Sequence, residues 1–213
     1  MNSENASHQY SKEPLTETPE TRETPEEKTS LGRDEIESVI LVALWAALMA
    51  AGAWISIPAG PVPITLQTFF VMLAGYSLGP ARGFLAAFLY VLAGIVGFPV
   101  FAGGVAGVAL ILGPTAGYAL SFPFSAAIAG LARGKTVPRP AGVYVLYGVL
   151  ATSLTLAMGT VGLILNLKLG LAMALVANVP FLPGDVLKLL AATLLARSMA
   201  KRTLGRAVKK AAA

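Results

Sequence analysis

The pattern of hydrophobic and polar positions divides the chain at about residue 35. Before it, Glu, Thr, Ser, Pro and Lys dominate; after it, apolar residues run in long blocks interrupted by Gly and Pro. A helix needs roughly 17 to 25 apolar residues to cross a hydrocarbon core of about 30 Å. On that measure the first span covers 36–57 and stops at Pro58. The second, 64–78, and the third, 82–97, are short and separated by Gly79-Pro80. The fourth covers 114–132, with Pro123 expected to bend it, and the fifth covers 142–165. The stretch 170–179 is too short to span and reads as a broken continuation, and the sixth span runs from about 184 to 199. The expected fold class is all-α: a polytopic membrane protein, a six-transmembrane-helix bundle with short or broken helices. The expected domains are a disordered acidic cytoplasmic tail over 1–34, a six-helix membrane domain over 35–200 and a basic cytoplasmic tail over 201–213.

Charge sharpens this division. Ten of the eleven acidic residues lie between Glu4 and Glu37, and only Asp185 follows; twelve of the sixteen Lys and Arg lie beyond residue 37. The body after that point therefore carries +11 and the part before it −6. A soluble domain normally has about a quarter of its residues charged. A body with a single carboxylate lacks the surface to dissolve in water and fits lipid instead, as does the mean hydropathy of +0.70. The polar stretch, with Glu-Thr-Pro-Glu at both 17–20 and 23–26, cannot bury enough area to offset its chain entropy. It has no basic segment leading into an apolar one, so it does not read as a signal peptide.

The absent residue types exclude several kinds of chemistry. With no Cys, and with His8 alone in the polar stretch, thiolate metal sites, disulfides and His-based catalytic triads are not expected in the body. No G-x-x-x-x-G-K-[ST] run is present, so the chain is not expected to hydrolyse nucleotides itself. An enzyme, a resident cofactor and a metal site are all unexpected. The basic residues sit at the ends of apolar runs and are not interleaved with aromatics, so nucleic acid is not an expected partner.

Lys and Arg in loops favour the cytoplasmic side. With the N-terminus inside, the inner connections hold Arg82, then Arg133, Lys135 and Arg139, then Lys201, Arg202, Arg206, Lys209 and Lys210; the outer ones hold only Lys168. The expected location is the cell membrane, multi-pass, with both termini cytoplasmic. The outer connections, 58–63, 98–113 and 166–184, contain most of the loop Gly and Pro. Irregular backbone at membrane depth is tolerated where it lines a cavity, so the outer half is the candidate binding side.

Asp185 and Lys188 are the one acid and base close together in the apolar body. Each costs roughly 2.5 to 3.5 kcal/mol at a helix centre, so both need a partner or a function. At i and i+3 they share a helix face. On residues alone two readings stand: ligand binding, or Asp185 as the cap of a helix starting near Gly184 with Lys188 neutralising it. Around the second outer connection, Phe101, Gly103, Gly104, Thr115 and Tyr118 are further candidates. Glycines there allow close backbone approach, and a helix start near Thr115 would favour an anion. Gln67, Tyr90 and Asn178 are other polar groups near the outer half. In the first span, Ala43, Ala47 and Ala51 recur at four-residue spacing with Ala46 and Ala50 beside them, a small-residue face for another helix or subunit.

Several of these segments carry a family resemblance. Ile57-Pro58-Ala59-Gly60-Pro61-Val62-Pro63-Ile64-Thr65-Leu66-Gln67-Thr68, Leu78-Gly79-Pro80-Ala81-Arg82-Gly83, Gly97-Phe98-Pro99-Val100-Phe101-Ala102-Gly103-Gly104, Gly113-Pro114-Thr115-Ala116-Gly117-Tyr118 and Pro180-Phe181-Leu182-Pro183-Gly184-Asp185-Val186-Leu187-Lys188 resemble the BioY family. These are biotin-specific S components of energy-coupling-factor vitamin transporters. The resemblance covers about 36–200. It implies a six-helix bundle that captures biotin at its extracellular side and reorients with a transmembrane coupling subunit of the EcfT type. Two cytosolic ABC-type ATPases would supply the energy. It further implies that Asp185 and Lys188 contact biotin, that Gly103, Gly104, Thr115 and Tyr118 shape the site, and that the alanine face meets the coupling subunit. The expected arrangement puts Lys188 on the valerate carboxylate and Asp185 on the ureido N–H groups, with the reverse open. Ala106 and Ala116 depart from the glycines expected in many relatives. Two other classes stay open on the residues: a solitary ion-coupled small-molecule carrier and a non-transporting membrane scaffold.

Overall fold

Proline and glycine set most of the element boundaries. A computed structural model describes residues 25–134 and 139–211. Among them the chain is mostly helical, with α1 (Pro25–Trp54), β1 (Ser56–Ile57), β2 (Ile64–Thr65), α2 (Gln67–Leu78), α3 (Pro80–Val96), α4 (Val108–Leu112), α5 (Ala116–Gly130), α6 (Ala141–Leu167), α7 (Leu171–Val176) and α8 (Phe181–Ala211). Gly79, at φ 86°, closes α2. Pro80 then opens α3 in its first turn, where the missing N–H has no helical acceptor to satisfy. Gly97, in the left-handed region, ends α3.

The small-residue helix α5 packs against α2, α3 and α6, and α8 packs on α2 and α6. Ser121, Ser125, Ala126 and Ala129 of α5 are all buried, because short side chains let neighbouring helices approach. The helix stays continuous through Pro123. From α1, Trp45, Met49 and Ala53 turn into the core. The outward faces are apolar: Leu85, Phe88 and Leu92 on α3, Leu146 and Leu150 on α6, Leu187, Leu190 and Leu194 on α8 are exposed. Glu35–Trp54 and Ala141–Leu167 are long and apolar enough to cross a membrane, while Gln67–Leu78 and Pro80–Val96 are apolar but shorter.

Four local expectations change. The connection 58–63 is flanked by a short antiparallel pair, Ser56 opposite Thr65 and Ile57 opposite Ile64, so the chain is not purely helical. The connection 98–113 contains a 3₁₀ turn at Ala102–Gly104 and the short helix α4. Lys168, at φ 55°, ends α6, and α7 is a separate short helix. The last helix starts at Phe181, so Asp185 lies inside it and does not cap it. Pro183 falls in its first turn and is accommodated for the same reason as Pro80. At the ends, α1 is already helical at Pro25 and α8 continues to Ala211. The acidic stretch 1–24, with His8, and Lys135 lie outside the described residues. Residues 37–213 form one compact unit, which contains the site.

Candidate functional site

The segment entering α2, the loop before α4, and helices α5, α6 and α8 enclose a partly open cavity. Its walls are mostly apolar or aromatic, including Val62, Ile64, Phe101, Ala119, Phe122, Leu156 and Phe181, with Thr65, Gln67, Thr68, Thr115, Tyr118, Thr155, Asp185 and Lys188 interspersed.

The charged pair sits in this wall. Asp185 and Lys188 fall on one face of α8, Lys188 Nζ lies 3.1 Å from Asp185 Oδ1, and the two side chains are only 11% and 10% exposed. Lys188 Nζ also donates to Thr68 Oγ1 on α2 at 3.1 Å. With two of its three N–H groups engaged, one remains for a ligand acceptor. The second Asp185 oxygen is available for donors. An ion pair held by a neutral hydroxyl in an apolar wall suits a ligand with adjacent donors and acceptors more than a bulky ion.

Tyr118 contributes a ring. Its hydroxyl donates to Asn178 Oδ1 at 2.6 Å, while Asn178 Nδ2 donates to Thr160 Oγ1 at 2.8 Å and to the Ala174 carbonyl at 3.0 Å. Tyr118 packs so closely on α6 that a Cβ at Gly159 would lie 2.2 Å from its ring. Asn178 therefore orients Tyr118 from behind and does not line the cavity. Tyr90 is placed likewise: buried, it accepts from Gln67 Nε2 and donates to the Val100 carbonyl at 3.1 Å. Phe101 reaches the cavity from the loop through a notch in α3, where a Cβ at Gly94 would lie 1.9 Å from Phe101 Cε2.

Of the residues flagged from sequence, Asp185, Lys188, Gln67, Phe101, Thr115 and Tyr118 come together at the cavity. Tyr90 and Asn178 stand one layer back. Gly103 and Gly104, at φ 70° and 75°, shape the turn beside Phe101 and Ala102 without lining the cavity. Thr115 occupies the cap position of α5 but makes no capping bond, leaving its hydroxyl to the cavity. Thr68, Thr155, Phe122 and Phe181 were not singled out; inside apolar helices, nothing in their spacing marked them. The α1 alanines divide by face: Ala43, Ala47 and Ala51 are exposed, Ala46 is buried and Ala50 half-buried.

A model of the BioY family matches residues 22–205. The chain belongs to the BioY family. It is 39% identical over 168 residues to the biotin transporter BioY of Thermotoga maritima, covering 78% of this chain and 97% of that one. Against the probable biotin transporter BioY of Pyrococcus horikoshii it is 57% identical over 99 residues, covering 46% of this chain and 61% of that relative. The fold resembles a crystal structure described as the S-component for biotin from an ECF-type ABC transporter, with TM-score 0.74, 27% identity and coverage of 79% of this chain and 93% of the other. These BioY relatives are named as transporters, not enzymes.

Proposed function

We propose that this chain is the biotin-binding, substrate-specific component of an ATP-driven energy-coupling-factor importer, acting as a six-span membrane bundle with both termini in the cytoplasm. The observation that carries the reading is the ion pair Asp185–Lys188, held by Thr68 in a mostly apolar cavity, in a member of the BioY family. The exposed apolar faces of α3, α6 and α8 suit lipid contact, and the scarcity of charge in the body would let the bundle tilt at low cost. The coupling subunit and the two ATPases would then supply movement and energy, with the exposed Ala43, Ala47 and Ala51 as the docking face.

The geometry of the pair favours the ureido end of biotin for both residues. Ureido ring and carboxylate lie at opposite ends of biotin, whereas Asp185 Oδ1 and Lys188 Nζ are 3.1 Å apart. Two groups so close suit a single end, and a ureido group offers both complements: N–H donors for Asp185 and a carbonyl acceptor for Lys188. Placing the carboxylate on Lys188 would leave the ureido group away from Asp185. A biotin amide, which lacks the carboxylate charge, separates the arrangements. If the pair holds the ureido end, Lys188→Met weakens biotin and biotin amide alike; a loss confined to biotin would return the carboxylate to Lys188.

The transport reading is tested by reconstituting the chain into vesicles with and without a coupling subunit and its ATPases. Biotin uptake that needs both partners and ATP supports it. Uptake by the chain alone, driven by a pH gradient and indifferent to ATP, would replace it with a solitary carrier.

A further inference from the structure

From the cavity wall at Thr65 and Gln67 to the layer behind it, four residues form one directional hydrogen-bond chain. Thr65 Oγ1 donates to Gln67 Oε1 at 2.8 Å, Gln67 Nε2 donates to the Tyr90 hydroxyl, and that hydroxyl donates to the Val100 carbonyl at 3.1 Å. Each group is donor to the next, the arrangement in which successive hydrogen bonds polarise one another. The Gln67 backbone N–H also donates to Thr65 Oγ1 at 3.3 Å, a second tie between the two residues.

The chain joins two separate parts of the cavity's rim. Thr65 belongs to β2 and pairs with Ser56 across the hairpin. Val100 precedes Phe101 and Ala102, which line the cavity from the loop that follows α3. That loop has other anchors: Phe101 against Tyr90, with ring centroids 4.8 Å apart, and the Gly107 N–H on the Gly94 carbonyl at 2.7 Å. Neither ties it to the hairpin. The polar link between the two runs through Tyr90, which is 1% exposed and does not touch the cavity.

We infer that Thr65, Gln67 and Tyr90 form a relay that couples the position of the hairpin to that of the loop carrying Phe101, with Tyr90 a positioning residue that governs how long the ligand stays. Gln67 both lines the cavity and bonds Tyr90, so displacing it loosens both rim segments together. The inference takes its ligand from the biotin reading above, but the coupling of the two segments is a property of the ligand-free chain as well.

Two measurements on the full chain test it. With no native cysteine, spin labels at Ser56→Cys and Ala106→Cys report the distance between hairpin and loop. Tyr90→Phe keeps the ring and its packing and removes one hydroxyl; Thr65→Val breaks the other end of the relay. Each should broaden the distance distribution, and the double variant should broaden it no further. Biotin dissociation should quicken about five- to a hundredfold in Tyr90→Phe, the scale of the two buried hydrogen bonds its hydroxyl makes to Gln67 and Val100, with association little changed. Tyr76→Phe is the control: it loses a bond to the Tyr144 carbonyl, 2.6 Å long, outside the relay, and should move neither reading. Unchanged distances in Tyr90→Phe, effects of the two substitutions that multiply, or an equal response in Tyr76→Phe would overturn the relay. If the parent chain binds no biotin, the proposed function fails and the distances alone decide the relay.

Discussion

Replacing Lys188 with Met separates a structural ion pair from a ligand contact. Lys188 Nζ bonds Asp185 Oδ1 and Thr68 Oγ1, each at 3.1 Å. The substitution keeps much of the apolar stem but leaves Asp185, 8% exposed, as a buried carboxylate without its counter-charge. Removing one member of a buried pair costs about 3 to 5 kcal/mol, and the open side of the cavity, which lets water reach Asp185, points to the lower end. Asp185→Asn keeps an acceptor beside Lys188 and should cost less. The double variant Asp185→Asn, Lys188→Met has no unpaired charge and should regain most of the parent stability. Binding should behave differently: losing a hydrogen bond to a charged group costs about 1.5 to 3 kcal/mol, or roughly 10- to 150-fold in affinity, and the double variant has lost that charge too. Thermal unfolding in detergent, followed by Trp fluorescence, should rank the double variant near the parent, then Asp185→Asn, then Lys188→Met. Equilibrium biotin binding should be weak in all three. Recovery of binding along with stability in the double variant would refute the reasoning and make the pair a purely structural ion pair.

Three further substitutions probe other parts of the account. Gly94→Ala puts a methyl into the Phe101 ring, with a strain of about 1 to 3 kcal/mol typical of overpacking; it should weaken biotin binding, and Phe101→Leu in the same chain should partly restore it, which titration of both variants checks. Thr68→Val removes the neutral acceptor that orients Lys188 and should weaken binding about five- to tenfold while keeping the fold. Ala47→Leu, on an exposed face, should leave biotin binding by the isolated chain unchanged but abolish co-purification with the coupling subunit. Retained assembly and uptake would argue against that docking face.

The parts of the fold and site readable from sequence share a physical cause. Asp185 and Lys188 stood out because a charge in an apolar block needs compensation wherever it sits, and the structure pairs them in a cavity. Helix limits at Gly79-Pro80 and Gly97 were legible because they rest on backbone chemistry alone. The start of α8 was misplaced by three residues because Pro183 reads as a breaker, although a first turn accepts it. Tyr90 and Asn178 stand a layer back from the cavity: their sequence positions do not reveal that Gln67 and Tyr118 stand between them and it. Thr68 and Thr155 went unmarked because a hydroxyl in an apolar helix commonly bonds its own backbone, as Thr155 does to the Ala151 carbonyl. The hairpin escaped because strands of two residues leave no alternation to detect.

Isothermal titration of the detergent-solubilised chain with biotin, alongside chemically unrelated vitamins, tests the central claim most directly. The account predicts saturable binding of biotin at one site per chain, no binding of the others, and loss of the biotin signal in Lys188→Met. Absence of biotin binding by a folded chain, or equal binding of unrelated vitamins, would contradict it.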